Sequence, residues 1–201
     1  MQTTIAGQTG PQILQDGTTQ PIRQGKSGDV IVQELHGRYF EQVYRGNVYS
    51  AANQAAQAIS VALNTTYTGL MLYNPIGSNV VLSILKVKFA LSVAPAAISC
   101  LGLISGFQTA APSGLTSLTP VNNQVGNAQT GVAQVYSAAT IATPIWRQML
   151  EDGFTAGALK SPTGPVDLEG MIIVKPGGFV AIGALTAVTG IGSIAWEEIP
   201  L

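Results

Sequence analysis

The sequence is poor in charge. Only 9 Lys and Arg and 10 Asp and Glu occur among 201 residues, 9% of the chain, against about 25% in ordinary globular domains. Two long spans hold none, between Gly46 and Leu85 and between Phe89 and Trp146. Surface charge keeps a lone domain soluble, so a surface this bare is expected to be covered by partner subunits. The net charge is −1 and the basic residues form no cluster. Non-specific nucleic-acid binding needs several phosphate-neutralising cations together, and no nucleic-acid partner is expected.

Cysteine and histidine are nearly absent, one of each. A single cysteine, Cys100, rules out an intramolecular disulfide and a multi-cysteine metal site. Within Ala96-Ala-Ile-Ser-Cys-Leu-Gly-Leu it reads as a small buried hydrophobe. A metal site needs several converging ligands. His36 has only Glu34 and Glu41 near it in sequence, so it is read as a structural or interface residue, and no cofactor is expected.

Motifs of catalysis are also missing: there is no Gly-x-Ser-x-Gly elbow, P-loop, dinucleotide-binding glycine pattern or EF-hand loop. Carboxylate pairs of the kind glycosidases use are Glu151-Asp152, Asp167/Glu169 and Glu197-Glu198. Strand neighbours point to opposite faces, so Glu197 and Glu198 cannot converge on one substrate. Asp167 and Glu169 share a face in the manner of a solvated edge. The chain is expected not to be an enzyme.

The start, Met1-Gln-Thr-Thr-Ile-Ala, has neither the basic nor the apolar region of a signal peptide, and none is expected. Two uncharged stretches, 89–107 and 177–196, approach the length of a spanning helix. Both are rich in Gly, Ser, Thr and β-branched residues, Pro95 interrupts the first, and neither has flanking basic clusters. Buried strands are predicted there, and no membrane contact.

What the sequence does contain is β texture. Residues 1–28 are polar, rich in Gln, Gly and Thr, with Pro11 and Pro21, and read as an extended N-terminal arm. Residues 29–201 read as one all-β domain, an antiparallel β-sandwich of the jelly-roll kind. Its clearest strand, 80–91, places Leu85, Val87, Phe89 and Leu91 on one face and Lys86, Lys88 and Ala90 on the other. The Ala- and Gln-rich stretch 49–58 is expected to make a helical turn or two. Residues 108–134, with few apolar anchors, read as a long loop or a hairpin excursion. Pro176-Gly-Gly is read as the turn of a hairpin between strands at 168–175 and 179–188. The last strand, with Glu197 and Glu198 between Trp196 and Ile199, is expected at an edge or a subunit contact.

Tyr39, Phe40, Tyr44 and Tyr49 stand in one short segment among Arg38, Glu41 and Arg45. Tyr and Arg offer large area with polar handles and are enriched at interfaces. The interface candidates are therefore His36, Arg38, Tyr39, Phe40, Tyr44, Arg45, Tyr49 and Trp196.

Three segments carry a family resemblance: Glu34-Leu-His-Gly-Arg-Tyr-Phe-Glu-Gln-Val-Tyr-Arg-Gly-Asn-Val-Tyr-Ser, Leu72-Tyr-Asn-Pro-Ile-Gly-Ser and Ala195-Trp-Glu-Glu-Ile-Pro-Leu. In that order they resemble virion structural proteins encoded near the capsid genes of short-tailed, podovirus-type phages. The resemblance implies a head decoration or cement protein, assembled in the host cytoplasm and carried on the outer surface of the head. Its partners would be the major capsid protein and its own copies, as a homotrimer. The alternative is a phage receptor- or glycan-binding tip, with the 108–134 segment presenting hydrogen-bonding groups to sugars. Neither reading brings catalytic residues.

Overall fold

β-branched and aromatic residues prefer the pleated, half-buried surface of a sheet, and here their runs become strands nearly throughout. The computed structural model describes residues 7–8, 22–23, 37–59, 61, 63–154, 156–157 and 165–201. The chain divides into two compact units, Met1–Glu41 and Gln42–Leu201. In the first, β1 (Gly7–Gln8) and β2 (Ile22–Arg23) form a short parallel pair. The rest of the predicted arm, and residues 29–36 with His36, lie outside the described residues. A five-residue helix, α1 (Phe40–Tyr44), follows.

The second unit is an all-β sandwich. Its strands are β3 (Val48–Ala52), β4 (Gln57–Ile59), β5 (Thr66–Tyr73), β6 (Val80–Leu91), β7 (Ser99–Phe107), β8 (Ser113–Leu118) and β9 (Val121–Asn122). β10 (Gln134–Thr140), β11 (Ile145–Phe154), β12 (Val166–Val174), β13 (Gly178–Ala184) and β14 (Val188–Pro200) complete it. One sheet runs β11-β7-β13-β5-β10-β8; the other runs β12-β6-β14-β3-β9, with β4 added beside β14. All strand pairs within the two sheets are antiparallel.

Between the sheets, Trp196, Leu72, Leu82, Ile84, Leu103 and Ile182 form the heart of a continuous core. The first sheet is buried on its other face too. On β13, Val180 and Ile182 enter the inter-sheet core while Phe179 and Ala181 join Tyr67, Met71, Tyr73 and Tyr136 in a second cluster. Trp146 packs on that cluster, and a Cβ at Gly102 would lie 2.7 Å from its ring. This double burial is why the β13 sequence is a run of apolar residues without alternation.

No two consecutive strands from β3 to β14 are hydrogen-bonded to each other, so the expected Pro-Gly-Gly hairpin is corrected. The turn is there, with Gly177 at φ +85, but it carries the chain from β12 in one sheet to β13 in the other. The Asn74–Gly77 turn makes the same crossing from β5 to β6. Asn74 binds the two arches together: its Nδ2 donates to Val80 O at 2.9 Å and Val174 O at 3.0 Å, and its backbone N–H donates to Gly178 O.

Three further expectations change. The predicted helical turns at 49–58 are β3 and β4, because the small residues there alternate into the core at Tyr49, Ala51 and Ile59. Within the predicted 108–134 loop or hairpin excursion lie β8 and β9, which fall in different sheets. β8 is an edge strand exposed along most of its length, so it needed no apolar anchors. β14 is not an edge but the centre of its sheet, flanked by β6 and by β3 and β4.

The alternation read for 80–91 holds beyond Leu85. Ala195 pairs with Lys86 and Trp196 with Ile84, leaving Leu85 unpaired on β6. This bulge switches the face, so Leu82 and Ile84 enter the core before it and Val87 after it. The uncharged stretches 89–107 and 177–196 fall on strands β6, β7, β13 and β14. No helix among the described residues is long and apolar enough to cross a membrane.

Candidate functional site

The interface candidates separate by burial. Arg38 and Arg45 are exposed, Phe40 is 43% and Tyr44 64% exposed, and Tyr39 is half-buried. The Arg38 guanidinium lies over the Tyr39 ring at 6.0 Å, a cation–π geometry. Tyr49 and Trp196 do not belong with them. At 2% and 0% exposure both are core residues, stacked with ring centroids 6.2 Å apart. Neither offers surface to a partner, because β14 is central and turns every second side chain into the sandwich.

Beside these rings sits a buried carboxylate. Glu198, 8% exposed, accepts hydrogen bonds from Val132 N and Ala133 N at 2.9 Å and from Trp196 Nε1 at 3.4 Å. Gly131 permits this approach, since a Cβ there would come within 2.6 Å of Glu198 Oε1. The Tyr49 phenol is pushed up by burial and by the charge of Glu198, against a hydrogen bond with Asn122. Each group has its partner, and the arrangement fixes β14 to the segment before β10.

Asp167 and Glu169 are exposed on either side of buried Leu168. Asp167 pairs with Lys86 at 3.6 Å, and Glu169 sits in a left-handed turn at φ +49. The side chains of Glu151 and Asp152 lie outside the described residues. Among the described residues no group of three His, Cys, Asp or Glu could hold a metal ion. Cys100, read as buried, is half-buried, because it falls between the inward-facing Ser99 and Leu101 on β7.

Two surfaces remain. The loop 120–130 folds through its own amides: Asn122 Nδ2 donates to Gly46 O at 2.7 Å, and Asn127 Nδ2 to Gln124 Oε1 at 2.8 Å. It borders a cleft of about 420 Å³ and raises Val125 fully into solvent. The second surface follows the edge strands β11 and β12, where Ile145, Met149, Met171 and Ile173 are 51–72% exposed. A cleft of about 740 Å³ runs between these strands, with Arg147 and Lys175 on its rim and Phe179 and Val180 deeper in.

This apolar edge was not singled out by sequence. Its signal is the run Met171-Ile-Ile-Val174, which states that a strand is apolar on both faces without saying which face the core takes. Comparison with family models, with curated proteins and with solved structures gives no match for this chain.

Proposed function

We propose that the protein is a non-enzymatic structural subunit of a tailed-phage particle, a decoration or cement protein on the outer surface of the head. It acts by adhesion, to the major capsid protein and to copies of itself. The observation that carries this reading is a chain only 9% charged that nonetheless exposes large apolar side chains on two open strand edges. A surface of that kind is stable when neighbours cover it. The resemblance of three sequence segments to podovirus-type virion proteins supports the choice of particle, and the exposure of Arg38, Phe40, Tyr44 and Arg45 is consistent with their being capsid contacts.

Purified protein mixed with expanded heads that lack it is expected to co-sediment with them and to add density to the head surface in cryo-imaging. Removing residues 1–28 is expected to weaken that attachment without unfolding the sandwich. Density at the tail, or no association with heads, overturns the proposal. A second reading, a glycan-binding tip, draws on the amide-lined cleft at 120–130. Retention on a glycan array that is lost when Asn127 and Gln129 are replaced by Ala would favour it.

A further inference from the structure

Edge strands left long, flat and apolar pair with other chains, and proteins normally blunt them with polar residues, charge or proline. The open edges at β8, β9 and β12 differ in this respect. β8 is blunted by its composition, Ser-Gly-Leu-Thr-Ser-Leu, and β9 is only two residues long. β12 is not blunted: Met171, Ile172, Ile173 and Val174 follow one another, with Met171 72% and Ile173 57% exposed.

The sequence around this run is complementary to itself. An antiparallel pairing of two copies about a two-fold axis at Ile172 matches residues equally spaced on either side of it. Ile172 then meets the partner's Ile172, and Met171 meets the partner's Ile173. Beyond the paired residues, Glu169 and the partner's Lys175 stand three residues from the axis on either side, twice by symmetry. These outward residues, Glu169, Met171, Ile173 and Lys175, are all exposed, while Ile172 is half-buried and Val174 buried. A bulge at Glu169 and Gly170, at φ +49 and +81, ends the regular ladder there, and Pro176 ends it on the other side. The ladder is therefore short, and the two ion pairs are reached by side chains at its ends.

We propose that β12 is a homomeric interface, in which a second copy of this chain docks edge to edge by antiparallel pairing centred on Ile172. Isologous contacts of this kind close on themselves and leave no further edge at β12. The contact rests on β12 alone and is independent of where the protein works. It joins copies in twos, and any threefold contact elsewhere on the surface compounds with it to a hexamer.

Light scattering on the size-exclusion peak of the full chain is expected to give an even number of copies. Lys175→Glu turns both ion pairs into like-charge pairs and is expected to loosen the contact roughly tenfold. The double exchange E169K/K175E is expected to restore it, which a loss of folding would not allow. Directly opposed strand residues lie within disulfide reach. On a Cys100→Ser background, the pair M171C/I173C is therefore expected to cross-link two chains on a non-reducing gel, and I173C alone is not. A monomer or trimer at the highest soluble concentration overturns the proposal. So does a mass indifferent to Lys175→Glu, or cross-linking through I173C alone.

Discussion

Glu198 is a carboxylate taken into a sandwich core, and such a group persists only where hydrogen bonds replace its water. Val132 N, Ala133 N and Trp196 Nε1 supply them. Glu198→Ala leaves the buried Ala133 N–H and Trp196 Nε1–H without an acceptor and is expected to cost about 3 kcal/mol, read from the urea midpoint. Glu198→Gln keeps one acceptor oxygen and is expected to lose less. Its neighbour behaves differently. Burial alone raises the Glu197 carboxyl above its ordinary value of 4.5. The folded state then holds this proton to higher pH than the unfolded state, so the group lowers stability as pH rises through the window above 4.5. Glu197→Gln removes that loss. Urea midpoints of variant and wild type are expected to agree near about pH 4 and to separate, in the variant's favour, by about pH 7.

At the scale of elements, the connections are arches between sheets, and polar side chains pin them. Asn74 holds the β5–β6 arch to the β12–β13 arch through the carbonyls of Val80 and Val174. Asn53 does similar work elsewhere, accepting from Gly192 N on β14 and donating to Gly69 O on β5, one strand from each sheet. Asn74→Ala strips two carbonyls of their donor and is expected to lower stability by about 2–3 kcal/mol. The unfolding slope should stay unchanged, since the surface exposed on unfolding is the same. A turn's composition, Asn74-Pro75 included, does not state which two sheets it joins. For the same reason Pro176-Gly-Gly reads locally as a hairpin: the dipeptide chemistry of a hairpin and of an arch is shared.

For the whole molecule, the strand order decides the kinetics. β14 pairs with β3 and β13 with β5, so these central pairs close loops of more than a hundred residues. Closing such loops costs entropy before any contact rewards it. Refolding of the full chain is expected on the millisecond-to-second scale of β-sandwiches. Stopped-flow fluorescence of Trp196 and Trp146 checks it, and completion within microseconds would contradict the topology.

The sequence alone determined that this chain is all-β, because strand signals are local: alternation over 85–91, β-branched runs, and turns written in Asn, Pro and Gly. It also determined the shortage of charge, which is simply counted. Burial required the tertiary structure. Trp196 and Tyr49 look like interface aromatics in one dimension and are core residues in three, since only the partners of β14 say that it is central. Met171 and Ile173 look like core and stand in solvent, because β12 happens to be last in its sheet. Strand order is set by contacts between segments far apart in the chain, and no local pattern records it.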